Sequence, residues 1–537
     1  MNKWLAKLER LRDRFDPSFA KAKSALLARL EHSSLASASA VRRLHEVLCF
    51  MRAYPDNATV LSHVERMLAS FERRSDLVRF RDDLARSGIT GTKTWYPFFY
   101  PTALWLARRW PRRLRFDRTD AEAQESIARV LPLLLAPIEA AALRELNLPG
   151  YQAIDRVRGT TSDATFLVER IAAMPGNAFT REHVYDSINP SCELEPGADT
   201  PARSREKFLA TPVVFQTALI RRTRPDLREQ IARAPRAVKR CSQTTGQHLL
   251  DLARAAMVVR ERDLDAFAYG NARDVWIVDD GDGLAFAVIG VEPERRAPVA
   301  AMYGALTLRN GVPIGYVQVD LVGRAAAVSF NTFETFRGFE AAFVFARLLA
   351  MVHHMFGAAS FSIEPYQLGK DNDEGIESGA WWFYFKLGFR PRASDVLSVA
   401  RAEQARMRAR PKHRSNSATL MRLAERHLFF ELDPLHQSPL PALPPHVFGA
   451  RGSDRVQEAA RRAGVSLRSW SAAERRVWEI WAPLVLLLPL ARWSAGERRA
   501  FIRIVRAKAA TSEREYISRF AAHAKLQRAL LRQGANA

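Results

Sequence analysis

Cysteine is scarce in this chain. Cys49, Cys192 and Cys241 are three in 537 residues, widely spaced and odd in number. They make neither a disulfide framework nor a metal-binding spacing, which suits a reducing compartment. The twelve histidines form no His/Cys cluster, and the adjacent pair His353 and His354 points to two different helix faces, so no metal site is expected. Long apolar runs are absent too. The longest, 480–492, is interrupted by Pro483 and Pro489, whereas a bilayer span needs about 20 residues. A buried helix is expected there instead, and no membrane span. The first fourteen residues are charged and amphipathic with no apolar core of the kind a secretory signal carries, so the expected location is cytoplasmic.

What is present is a globular composition: 47% hydrophobic and 10% aromatic residues exclude a largely disordered chain. The charge is one-sided, with 81 Lys/Arg against 58 Asp/Glu. From residue 401 onward there are 26 Lys/Arg against 11 Asp/Glu, so the last quarter carries most of the excess. Arg401, Arg406, Arg408, Arg410, Lys412 and Arg414 form a patch that would suit phosphates, making nucleic acid or an acidic protein a candidate partner. Solvated helix faces in an arginine-rich, alanine-rich chain explain the same bias.

Length alone suggests about three or four domains. Residues 1–235 read as mainly helical, with apolar positions three and four apart over 44–51, 60–71 and 121–146. The aromatic stretch 95–107 is read as packing between helices, and 189–203, with its Pro, Gly and acidic residues, as an exposed loop. From residue 243 the texture changes. A helix over 248–262 precedes strand patterns at 274–278, 283–289 and 299–308. Two alternating runs, 311–322 and 325–333, are joined as a hairpin at Gly323 and Arg324. A helix over 339–355 follows, apolar on nearly every face, with Gly357 where a C-cap is expected. Next come a strand at 360–364, a polar loop at 365–377 and a second helix at 378–387. Residues 396–537 read as basic helices interrupted by a Pro-rich link at 434–445.

Two segments carry a resemblance. Residues 379–389 read Gly-Ala-Trp-Trp-Phe-Tyr-Phe-Lys-Leu-Gly-Phe, so that Ala380, Tyr384, Lys386, Gly388 and Phe389 fit A-x-x-x-Y-x-K-x-G-F. About forty residues earlier, Arg337 and Ala342 fit [RQ]-x-x-G-x-[GA], with Glu340 in place of the central glycine. Together they resemble the signatures of the Gcn5-related N-acetyltransferase (GNAT) superfamily over about 240–395. The resemblance implies an α/β mixed-sheet, acetyltransferase-like domain flanked by mainly α-helical regions, using acetyl-coenzyme A or another acyl-coenzyme A to acylate an amine acceptor. It places the coenzyme on the turn formed by Phe333, Arg337, Gly338, Ala341 and Ala342, and it gives Tyr384 the role of proton donor to the leaving thiolate. The physics agrees: a strand running through a tight turn into a helix leaves unpaired N–H groups that suit a pyrophosphate, and a phenol can protonate a thiolate.

Each residue also has a plainer reading. Tyr384 lies among Trp381, Trp382, Phe383 and Phe385, as a core aromatic would. Glu340 adds bulk and a like charge beside the expected pyrophosphate unless it turns away, and Arg337 has two candidate partners, the phosphate and Glu340. Asp320, Glu334 and Glu364 are candidate bases for the amine, the last two favoured because they end strands. Asn331, Gln367 and Asn372 are candidate hydrogen-bonding groups near the same end, or turn and loop residues. The alternative to an acyltransferase is a non-catalytic protein that keeps such a fold as a platform for its basic tail.

Overall fold

The computed structural model describes residues 3–208, 212–218, 224–338, 340–433 and 453–535. The chain divides into two compact units. One comprises 1–219, 248–269 and 309–313; the other comprises 220–247, 270–308 and 314–537. The division expected at 235/240 and 395/396 does not coincide with it.

The first unit is mainly helical. Asp16, Ser37 and Asn57 each accept backbone N–H bonds in the first turn of the helix that follows, which starts Pro17–Glu31, Ala38–Ala53 and Ala58–Ala69. Residues 121–146 do not form one helix. Ala121–Val130 gives way to a 3-10 turn at Leu131–Leu134 and a new helix at Pro137–Leu146, because Pro132 and Pro137 lack the N–H a continuous helix needs. The aromatic stretch is packed, with Phe98, Tyr100 and Leu106 in a core shared with Phe116, Tyr151 and Tyr185. The loop expected at 189–203 holds a strand. Strands β1 (Thr94–Tyr96), β2 (Leu114–Phe116) and β3 (Cys192–Leu194) form a sheet in the order β1-β3-β2, with Cys192 and Leu194 buried on either side of Glu193. Three residues are enough to alternate but too few to stand out among prolines and glycines.

The second unit is built on a nine-stranded mixed sheet flanked by helices. Its strands are β4 (Ala237–Arg240), β5 (Gly270–Gly281), β6 (Leu284–Val291), β7 (Ala301–Arg309), β8 (Val312–Val322), β9 (Ala325–Thr332), β10 (Ser360–Ile363), β11 (Arg390–Pro391) and β12 (Leu428–Glu431). Their order across the sheet is β11-β12-β10-β9-β8-β7-β6-β5-β4. Tight turns set the register: Asp282 and Gly283, both at positive φ, join β5 to β6, and Gly323 at φ 56° turns β8 into β9 where expected. β9 and β10 run parallel, linked by the helix Ala341–Phe356, which ends at left-handed Gly357.

Two expectations fail around this crossover. The polar loop at 365–377 contains the helices Pro365–Leu368 and Asp373–Ser378, the second capped by Asn372, and left-handed Gly379 separates that helix from Ala380–Leu387. The 396–537 region is not wholly helical, since β12 lies inside the sheet between β10 and β11. The Pro-rich link at 434–445 lies outside the described residues. The apolar run 480–492 starts inside the helix Ala472–Leu487, where Trp481, Ala482, Pro483, Leu484 and Val485 are buried. Among the described residues no helix is long and apolar enough to cross a membrane.

Candidate active site

The parallel pair creates the site. β9 and β10 pair only from Ala325/Ser360 to Ala327/Ser362, and β10 ends at Ile363. β9 continues to Thr332 with β8 on its other side, so backbone groups of 328–332 that point away from β8 have no partner on β10. Such a strand edge can pair with an extended amide-bearing ligand, its last outward carbonyl, Thr332 O, already accepting from Arg337 Nε. Just past it, Phe333 donates its N–H to Ile314 O at 2.9 Å, continuing the ladder, and Glu334–Phe336 makes one 3-10 turn. Gly338 follows at φ 79°. A Cβ there would have nothing within 4 Å, so it is the backbone angle that calls for glycine. The helix then starts at Ala341, not at 339; Phe339 lies outside the described residues. The N–H groups of Ala341, Ala342 and Phe343 precede the first intrahelical bond, Val344 N to Glu340 O.

The structure gathers several of the candidate residues at this end of the sheet. Phe333 is buried, and its ring packs against Tyr316 at 5.8 Å between centroids. Arg337 is half exposed and pairs with Glu374, while its Nε donates to Thr332 O at 3.1 Å. Glu340 is buried at the N-cap, where the helix dipole favours a carboxylate, and makes no side-chain cap bond. Ala341 and Ala342 are half-buried, leaving room for close approach. Glu334 and Glu364 are both exposed at the C-terminal ends of β9 and β10. Glu364 faces His427, whose pKa burial lowers and the Glu364 charge raises in part. Asn372 is committed to its turn, capping Gly375 and donating to Tyr366 O at 2.9 Å.

Tyr384 lies on the helix-covered face. Its ring meets Phe345 at 5.3 Å, Phe383 at 5.1 Å and Phe389 at 5.9 Å, and Phe345 in turn meets Phe330 of β9 at 5.2 Å. The residue is only 3% exposed, and burial holds the phenol well above its ordinary pKa. It is therefore a neutral hydroxyl, able to donate a proton, enclosed on several sides by aromatic carbon.

Two groupings escaped the sequence. In the β8/β9 ladder Tyr316 pairs with Asn331 and Gln318 with Ser329, one residue out of phase with Phe330, so these polar side chains share the face opposite the helix. Gln318 Nε2 donates to Asp320 Oδ2 at 3.3 Å on that face. The other grouping is a buried ion pair: Arg347, fully buried within the apolar helix, donates to Asp280 at 2.7–3.0 Å and also to Gln230 O. A lone arginine in an apolar helix was the available signal.

The fold and this strand end define a mixed α/β protein with an open parallel-strand edge leading into a glycine turn and a helix N-terminus. The chain matches no protein-family model, no curated protein and no solved structure.

Proposed function

We propose that the second unit is an acyl-coenzyme A dependent N-acyltransferase of the GNAT type. The observation that carries the reading is the parting of β9 from β10 directly before the Arg337–Gly338 turn. An open strand edge that can pair with the amides of a pantetheine arm leads there to a turn and helix start whose N–H groups can bind a pyrophosphate. The arrangement β9-β10-β12-β11, with the helical crossover between its parallel members, supports the same reading.

In this reading the thioester sits at the end of β9. The amine acceptor approaches from the polar face or the strand ends, deprotonated by Glu334 or Glu364, and attacks the carbonyl; Tyr384 protonates the departing thiolate. Rate comes chiefly from positioning and proton handling. Arg337 can turn from Glu374 to phosphate, since both partners are half exposed and such pairs are weak.

One observation favours the second reading, a non-catalytic platform: Glu340 already places a carboxylate at the helix start. Calorimetric titration with acetyl-coenzyme A and longer acyl esters separates the two. Saturable binding that Arg337→Glu weakens supports the acyltransferase; no binding at millimolar coenzyme rejects it.

A further inference from the structure

A cavity of about 220 Å³ opens in the second unit, away from the residues assigned above. Its walls are the Pro293–Arg295 turn with Ala297 and Pro298, one face of the helix Ala472–Leu487, and the end of the helix Ala495–Lys508. The contributing helix face is Ala473, Arg476, Val477, Ile480 and Trp481, the three-and-four spacing of a single stripe. Trp481 is fully buried and forms the floor, with its indole N–H donated to Pro298 O at 2.9 Å. Val477 and Ile480 are half-buried on the wall, and Glu294 and Arg476 are exposed at the mouth.

The charges around the cavity fall into two groups. Those at its base are committed to each other. Arg296 donates to Ala510 O and Thr511 O at 2.6 Å, Lys508 donates to Ala300 O at 2.7 Å, and both flank the buried Glu513 carboxylate. They fix the chain, with Arg296 Nε and the two Glu513 oxygens left without a hydrogen-bond partner and held by ion pairing alone. Glu294 and Arg476 at the mouth are different: neither is hydrogen-bonded or ion-paired to any other described residue, nor to each other, although both line the same space.

We propose that this cavity binds a small zwitterion with an apolar body, of which a free apolar amino acid is the simplest form. Its carboxylate meets the Arg476 guanidinium and its ammonium the Glu294 carboxylate, while the side chain fills the space against Ile480, Val477, Pro298 and Trp481. A plain carboxylate or amine would satisfy one mouth charge and leave the other facing a like or neutral group. The inference does not depend on the acyltransferase reading.

The test uses the full-length chain and three probes with the same ring: L-phenylalanine, 3-phenylpropanoate and 2-phenylethylamine. Binding of L-phenylalanine is expected, with each singly charged analogue weaker by about tenfold or more. Arg476→Gln should erase the preference for L-phenylalanine over 2-phenylethylamine, and Glu294→Gln the preference over 3-phenylpropanoate. Both side chains are exposed and unpartnered, so the variants keep the fold. Ile480→Trp, which fills the cavity, should abolish binding of all three. Equal binding of the three probes, no binding of L-phenylalanine, or undiminished binding by folded Ile480→Trp would each overturn the proposal.

Discussion

Replacing Tyr384 with Phe removes one oxygen from an enclosed aromatic cluster, and the two roles open to that oxygen predict different results. The ring keeps its contacts with Phe345, Phe383 and Phe389, so packing is preserved. Burial shifts the phenol, but its oxygen is not among the buried polar atoms that lack a partner. Deleting it should therefore change stability by under about 1 kcal/mol, read from the midpoint in urea. Catalysis should respond far more strongly. A general acid contributes about 10² to 10⁴ in rate, or about 3 to 5 kcal/mol of barrier, and turnover with acyl-coenzyme A and a working amine should fall by that factor while coenzyme affinity stays constant. Because burial keeps the phenol protonated, the wild-type rate should show no alkaline loss from this group up to about pH 10. A variant that turns over at the wild-type rate would remove Tyr384 from the mechanism and leave it as core. A variant less stable by more than about 1 kcal/mol would mean that the hydroxyl makes a strong hydrogen bond in solution.

Arg337→Glu should weaken acyl-coenzyme A by about 1.5 to 3 kcal/mol in calorimetry, whereas Glu374→Gln, which frees Arg337, should leave binding equal or tighter; the opposite order would exclude Arg337 from phosphate binding. Arg347→Met strands the Asp280 carboxylate in the interior and should cost about 3 to 5 kcal/mol in chemical denaturation, and Arg347→Met with Asp280→Leu should recover most of it; a single variant losing under about 1 kcal/mol would contradict the buried pair. Burial raises Asp263 to about 7 despite its bonds from Thr102 and the Phe99 and Leu264 amides. The folded state then holds this proton more tightly than the unfolded one, so the contribution is complete below about pH 4 and is lost as pH rises toward about 7. Asp263→Asn should flatten that part of the stability curve, and an unchanged slope would assign it to other groups.

The main sheet was largely legible because its signals are local. The runs at 311–322 and 325–333 alternate cleanly around Gly323, and β8 and β9 end within a residue or so of those limits. Asp282-Gly283 and Asn310-Gly311, all four residues at positive φ, are the same kind of signal between neighbouring strands. β12 was not legible. Leu428-Phe-Phe-Glu is four residues long, follows directly on a helix, and is made a strand by partners far away in sequence. At the candidate site, residue types and their positions on the strand ends could be read, but pairing could not. Arg337 meets Glu374 because the segment 373–378 folds into a helix where the polar composition suggested a loop, and Asp280 meets Arg347 across the sheet.

The place of β12 in the sheet bears on how the chain is made. β11 is hydrogen-bonded to β12, and β12 bridges it to β10. During synthesis β10 and β11 therefore leave the ribosome as unfinished edges and wait while the helices Ser394–Ala409 and Ser417–Ala424 are added. Nascent chains halted near residue 395 should thus be protease-sensitive and prone to self-association through the bare β10 edge, and those extended past 433 should become resistant. A fragment cut near residue 395 would omit the strand that completes the sheet.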